Sequence, residues 1–284
     1  MAPWWRGASR PRQTRPPPHP KNGDPALSRP DDLLEPRTLV IPAAGMGSRL
    51  RSALPKVLVP VLGRPMIDWL LELYLPWIQH VVVVAHPQSR TALSEHLAMK
   101  AVPATVVVQE APTGMLDAIL LARPVVEASP AAHVWITWCD QVGVHPRTVE
   151  RLAELSAAHA DAPIVMPTCT TASPYIHLQR GTDQRIVRVL HRREGDAMPA
   201  VGESDMGLFS LSRRAFVDDL MDFATGAGTG EETGERNFLP FIPFADARGG
   251  VVTFPCVDRE ESVGVNTPED LAAVERYLQA RARS

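Results

Sequence analysis

The chain has 284 residues, 45% of them hydrophobic and 21% charged, enough to bury a sizeable core as one large α/β domain or two small ones. A formal net charge of −3 and a pI near 6.3 exclude a global attraction to nucleic acid or to an anionic membrane, so small molecules are the expected partners. Cys139, Cys169 and Cys256 are scattered, with no CxxC or metal-ligand spacing, and read as core thiols in a reducing compartment. No apolar run approaches the ~20 residues that span a bilayer, and the N-terminus lacks the apolar region of a signal peptide. The expectation is a soluble, cytoplasmic protein.

Residues 1–36 are thick with Pro and Arg and lack apolar periodicity. Such a segment buries too little to offset its ordering entropy, which predicts a disordered tail whose cations (Arg6, Arg10, Arg12, Arg15, Lys21) stay solvated. The folded domain is expected over residues 37–284. It opens with an apolar, β-rich run, Thr38 to Ile41, that ends in a glycine turn. There Gly45 and Gly47 leave main-chain amides uncovered, and consecutive N–H groups in such a turn form an anion-binding concavity. Ser48 adds a hydroxyl, Arg49 a planar fork of donors, and Lys56, stiffened by Pro55, a mobile point charge. The combination favours a polyphosphate. A Walker A loop is absent, and a GxGxxG fingerprint fails because its third glycine falls at Leu50.

Further on, helices are expected over 66–75, with Pro65 at the start, and over 88–99. Strands are expected over 80–85 and 105–109. The valine run at 80–85 is that of a parallel strand covered on both faces, and the alternation predicts a doubly wound sheet that binds ligands at the carboxyl ends of its strands. Trp69, Leu70, Leu75 and Trp77 sit at helical spacing and read as core; a homo-oligomer that used them is compatible with the sequence. Gln109 has a donor and an acceptor side by side, as reading a nucleobase edge requires, and Gly114 lets the backbone approach before a helix over 115–127. A strand over 132–138 delivers Asp140 to the ligand edge, where one carboxylate beside substrate phosphates suits Mg²⁺. A helix over 145–158 follows. The middle reads as strands over 164–166, 185–190 and 206–211. His191 to Glu194 reads as a solvated strand end beside an acceptor pocket, and 226–234 as a mobile lid. After a strand over 251–255, Thr267, Pro268 and Asp270 signal the start of a last helix, with Leu271, Val274 and Leu278 as its buried stripe. Asn266 is parked at that junction.

Taken in order, AAGMGSRLRSALPK, QEAPTGMLDA, WCDQ, SDMG and GVNTPEDL resemble the sugar-1-phosphate nucleotidyltransferases, among them the uridylyltransferase domain that makes UDP-N-acetylglucosamine and the glucose-1-phosphate thymidylyltransferases. The likeness spans roughly residues 37 to 280. It implies a Rossmann-like three-layer α/β fold with a mixed, mostly parallel central sheet. The implied reaction is attack by a phosphate oxygen of a sugar 1-phosphate, or of a sugar-like cyclitol phosphate, on the α-phosphorus of an NTP, with pyrophosphate leaving. By the same resemblance, Ala44, Gly45, Gly47 and Ser48 bind the nucleotide, Arg49 and Lys56 hold the triphosphate and the transferring group, and Gln109 and Gly114 read the base. Asp140 and Asn266 bind Mg²⁺, while Asp205, where the family places an asparagine, and Gly207 lie near the ribose or the sugar. Cys139 replaces a glycine and Arg64 a common lysine. The sugar-binding Glu aligns with either His191 or Glu194, and the acceptor pocket stays unassigned. No hexapeptide repeats follow, which sets the expectation that no acetyltransferase activity is attached. The rival readings are a transferase for another acceptor, such as an alcohol phosphate or a molybdenum cofactor, and a nucleotide sensor that has lost catalysis.

Overall fold

A computed structural model describes residues 35–283 apart from Met46, Arg51 and Ala53; the Ser48 side chain and the Pro/Arg-rich tail ahead of Glu35, with its five named cations, lie outside the described residues. Strand β1 (Arg37–Ala43) is buried along its whole length. Its side chains divide by parity: Leu39, Ile41 and Ala43 enter one apolar cluster and Val40 the other. A strand that must cover both faces belongs in the middle of a sheet with helices above and below.

After the loop and a 3₁₀ turn at Lys56–Leu58, β2 (Pro60–Val61) and β3 (Arg64–Pro65) form a small antiparallel pair. α1 (Met66–Tyr74) buries Leu70 completely, and Trp69, Leu75 and Trp77 pack against the same cluster. β4 (His80–Ala85) repeats the two-faced pattern of β1. The next helix is shorter than expected: Pro87–Ser89 is a 3₁₀ turn, and α2 (Arg90–Met99) begins after it. β5 (Ala104–Val108) follows. The single helix expected over 115–127 is two, α3 (Met115–Leu120) and α4 (Arg123–Glu127). Pro124 has no N–H to give the Leu120 carbonyl, and its ring collides with that carbonyl in a continuous helix. β6 (His133–Thr137) and α5 (Pro146–Ala158) complete the first half.

The second half departs further from expectation. β7 (Ile164–Ala172) is three times the strand expected there, and β8 (Ile176–Arg180) forms a hairpin with β9 (Ile186–His191) where a loop was expected. β10 (Val201–Asp205) and β11 (Leu208–Ser212) are separated by a turn at Met206-Gly207, so the strand expected over 206–211 starts late. Gly207 has φ +65°, which breaks the extended chain. A π-helical turn at Ala215–Asp219 leads into α6 (Leu220–Gly226), and α7 (Phe241–Gly249), β12 (Val251–Pro255) and α8 (Pro268–Arg281) close the chain.

The central sheet runs β10-β7-β11-β6-β1-β4-β5, with β12 also paired to β7. The pairs β6/β1, β1/β4, β4/β5 and β12/β7 are parallel; β11 is antiparallel to both neighbours and β10 to β7. The sheet is therefore mixed and mostly parallel, and the carboxyl ends of β1 and β6 lie side by side. Among the described residues, no helix is long and apolar enough to cross a membrane.

Candidate active site

The loop after β1 turns back on itself at Gly47. Its φ is +61°, and a Cβ there would come within 2.9 Å of the Lys56 Cβ, so only glycine lets the loop lie against Lys56. Gly45 is exposed, with nothing within 4 Å of a Cβ position. Ala44 is half-buried beside it. Pro55 sits in extended backbone just before Lys56, and fully buried Val57 pins the turn that follows. The root of Lys56 is fixed, and its long stem reaches inward.

The ammonium ends between two oxygens. Lys56 Nζ donates to Asp140 Oδ2 at 2.5 Å and to Asn266 Oδ1 at 2.8 Å, and Arg49 Nη2 donates to the same Asn266 oxygen at 3.3 Å. Lys56 and Asp140 side chains each retain 12% exposure, so the pair is shielded yet open on one side. Asp140 stands in the turn after β6, and its carbonyl accepts the Val265 N–H at 3.1 Å, which ties it to the segment carrying Asn266. Asn266 is held by the start of α8: Asp270 Oδ2 accepts from the N–H groups of Asn266 (3.1 Å) and Thr267 (2.9 Å), while the Thr267 hydroxyl accepts from Asp270 N–H, a reciprocal cap. A Cβ on Gly264 would press to 3.3 Å from the Asp140 carboxylate, so the clearance at that position is part of the site.

Glu261 anchors the same segment from beneath. Fully buried, it accepts from His145 N–H (2.6 Å), the Thr148 hydroxyl (2.9 Å) and Val257 N–H (2.7 Å). A buried carboxylate so surrounded is a staple between α5 and the approach to Asn266.

Beside these groups lies a cavity of about 580 Å³, lined among others by Arg49, Asp140, Asn266, Asp205, Gly207 and Trp138. A Cβ at Gly207 would overlap the Trp138 ring, which explains the glycine. Asp205 is 9% exposed, and its Oδ2 accepts the Gly207 N–H at 2.8 Å. Burial pushes its carboxyl up to about 6, against the pull of that hydrogen bond. His191, Arg193 and Glu194 line the cavity as well, while Arg192 and Arg193 stay exposed, so the cluster at the end of β9 is a solvated strand end that borders the pocket. The His191 ring lies edge-on to Tyr175, with centroids 5.2 Å apart, and meets the Asn237 amide at 3.2 Å; burial lowers its pKa. Glu194 accepts from the Thr233 hydroxyl (2.5 Å) and the Glu232 N–H (3.1 Å), which pins the 226–234 loop over this side.

Gln109 and Gly114 stand apart from the cavity lining, where the next residue, Met115, takes a place. Gln109, 8% exposed, donates its amide to the Gly114 carbonyl at 3.0 Å. The space that Gly114 leaves is filled by the Arg236 backbone, which a Cβ would strike, and Arg236 N–H donates to the Thr113 carbonyl at 2.8 Å. The glycine that was expected to admit a base admits a neighbouring loop. Sequence reading also passed over Trp138, Tyr175, Asn237, Glu261 and Gly264. Of these only Glu261 carried a signal, the Asp258-x-x-Glu261 spacing of a capping box, which the structure contains.

Asp140 and Asn266 provide two hard oxygens aimed at one cation, here the Lys56 ammonium. That donor set fits Mg²⁺, which takes one or two protein oxygens and completes its shell with water and phosphate. Among the described residues no cluster of three His, Cys, Asp or Glu side chains could hold a metal ion instead.

A mixed sheet with a glycine loop, two cations and two oxygens at the carboxyl ends of its central strands defines a Rossmann-like nucleotidyltransferase fold. Residues 39–228 match the MobA-like NTP transferase domain, and the chain belongs to that family. It is similar to proteins named bifunctional protein GlmU: 28% identical over 253 residues in Sorangium cellulosum, 30% over 248 residues in Thermus thermophilus and 31% over 252 residues in Acidiphilium cryptum. Those alignments cover 86–87% of this chain and 52–54% of the relatives, so the chain spans about half their length.

Proposed function

We propose that this protein transfers a nucleoside monophosphate from an NTP to a sugar 1-phosphate or a sugar-like cyclitol phosphate, giving an NDP-sugar and pyrophosphate. The observation that carries this reading is the meeting of Lys56, Arg49, Asp140 and Asn266 at one mouth of the cavity. A phosphate monoester is already a competent nucleophile. Both reactants are anions, so positioning and charge neutralisation supply most of the catalysis and no Ser-His-Asp relay is needed.

In this reading the triphosphate lies along the amides of Gly45 and Gly47. Arg49 orients it with its donor fork, and Lys56 follows the negative charge that builds on the α-phosphoryl group. Asp140 and Asn266 would hold Mg²⁺, which when bound supplies further neutralisation of the phosphate oxygens. Asp205 and His191, which also line the cavity, accept hydrogen bonds from hydroxyls of the acceptor or the ribose. Gln109 and Gly114 lie outside the cavity lining, and they act on the base only through the position of Met115, which lines it. Substrates of this kind make the reaction a cytoplasmic one. The combined presence of Lys56, Asp140 and Asn266 favours a working transferase over a sensor that has lost catalysis.

The test is pyrophosphate release with each NTP against a panel of sugar phosphates, cyclitol phosphates and alcohol phosphates, with and without Mg²⁺. Release that requires both an NTP and a sugar or cyclitol phosphate supports the reading. Release with an alcohol phosphate alone, or none with any pair, overturns it.

A further inference from the structure

Of the three cysteines, two that are remote in sequence meet in the fold. β12 runs parallel beside β7 with Pro255 opposite Thr168, and Cys256 N–H donates to the Thr168 carbonyl at 3.0 Å. In a parallel ladder that bond sets Cys256 directly opposite Cys169, with both side chains leaving the same face. Neighbouring strands lie about 4.8 Å apart, inside the Cα separation of roughly 4.4–6.8 Å that a disulfide bridges. Cys169 is buried and Cys256 half-buried. The neighbouring Cys256, working against burial, holds the Cys169 thiol down at about 7, and Cys169 in turn drives Cys256 up. Thiolate character is thus concentrated on Cys169. Cys139 is the contrast: burial, reinforced by the Asp140 charge, pushes it up to about 12.

The place matters as well. Across β7, antiparallel β10 sets Ser204 opposite Cys169 and Asp205 opposite Thr168, and Ser204, Asp205 and Ser262 all line the cavity. Cys256 stands at the root of the segment that runs through Glu261 and Gly264 to Asn266.

We propose that Cys169 and Cys256 are a peroxide-reactive dithiol, a site of reversible disulfide formation directly behind the cavity wall. The Cys169 thiolate attacks one oxygen of hydrogen peroxide; the O–O bond breaks, Cys169 becomes a sulfenic acid, and the departing hydroxide takes the proton that Cys169 released, forming water. The Cys256 thiol then attacks the Cys169 sulfur, the S–O bond breaks, and a second water leaves with the Cys256 proton. Two electrons pass from the two sulfurs to the peroxide, and a small-molecule dithiol reverses the bond by exchange. The disulfide tethers β7 to the base of the Asn266 segment.

The experiment needs no substrate, so its outcome is independent of the transferase reading. Full-length reduced protein is exposed to hydrogen peroxide, denatured in an alkylating reagent, and mapped by peptide mass spectrometry. The expected result is a Cys169–Cys256 linked peptide within single chains, with Cys139 alkylated, and slower amide exchange over residues 256–266 in the oxidised protein. In Cys256→Ser the Cys169 sulfenic acid persists and is trapped by a cyclic dione, and in Cys169→Ser no linked peptide forms. Full alkylation of all three cysteines after peroxide, linkage between chains, or oxidation that begins at Cys139 would overturn the proposal. Unchanged exchange over 256–266 would overturn the tether.

Discussion

Replacing Asp205 by asparagine separates what the fold needs from what the cavity needs. Burial raises the Asp205 carboxyl from 3.8 to about 6, roughly two units, each equivalent to about 1.4 kcal/mol. The folded chain therefore keeps a proton that the unfolded chain gives up between pH 3.8 and about 6. The stabilisation this represents is fully present below the unfolded value and is lost as pH rises through the folded one. Above that window the ionised carboxylate leaves the fold about 3 kcal/mol weaker than a neutral group would. The substituted amide keeps an oxygen for the Gly207 N–H, which Asp205 now satisfies at 2.8 Å, and carries no charge. The Asp205→Asn variant is expected to gain up to about 3 kcal/mol at pH 8, a rise in melting temperature on the order of 5–10 °C for a domain of this size, and to match the parent at pH 4. Urea and thermal unfolding followed by circular dichroism at pH 4, 6 and 8 measure both. If the gain is absent at pH 8, or equally large at pH 4, the buried-charge account fails. A gain accompanied by lower kcat/KM for the acceptor would identify the charge as kept for binding at the expense of stability.

Four other substitutions probe the remaining parts. Lys56→Ala should lower turnover by at least about 10²-fold, the scale of one lost preorganised contact; because it also frees Asp140 and Asn266, it should tighten Mn²⁺ binding to the nucleotide-free protein in a paramagnetic titration, and unchanged turnover would remove Lys56 from the mechanism. Asp140→Ala should abolish metal-dependent turnover while the circular dichroism spectrum and unfolding midpoint hold; full activity would refute its ligand role. Gly114→Ala forces a Cβ into the Arg236 backbone, at a cost of about 1–3 kcal/mol, and should expose the 226–236 loop to limited proteolysis; parental resistance would contradict the packing described. Glu261→Gln replaces an acceptor of several short hydrogen bonds by a group that must present N–H to one of those donors, and should cost at least about 2 kcal/mol in urea unfolding.

The parallel half of the fold was readable because its strands are buried on both faces. Val81 to Val84 admit only a central strand, and no helical stripe is that continuous. The last helix was readable from Thr267, Pro268 and Asp270, whose chemistry is local. Antiparallel elements were harder. β10 reads Val-Gly-Glu-Ser-Asp, a composition depleted in strands, and it forms because β7 offers a ladder on that side. β9 lies within one residue of the strand expected over 185–190, while its hairpin partner β8, with half-buried His177 and exposed Gln179, falls where a loop was expected. A partner remote in sequence makes β10, and such a partner leaves no mark in a local window. The break between α3 and α4 is the opposite case, since Pro124 is a local breaker inside the stretch expected as one helix.

The same distinction between local and remote causes runs through the site. Lys56, Asp140 and Asn266 each sit at a strand end or a helix start, positions that a pattern marks, although they are separated by 84 and 210 residues from Lys56 onward. Apart from the Thr267/Asp270 cap and the Asp258–Glu261 box, what holds them in register is not marked. Gly264 matters through the space it leaves beside Asp140, Trp138 through its ring against Gly207, and Arg236 through its backbone against Gly114. Each is a close approach between segments remote in sequence, where the absence of a side chain is the signal. Gly114 shows the consequence: read alone it looks like room for a ligand, and in the fold that room is taken by protein. A glycine in a loop of this kind therefore identifies a contact, and only the geometry says whether the contact is with substrate or with the chain itself. Gly45, with nothing within 4 Å of its Cβ position, makes no such contact with the chain.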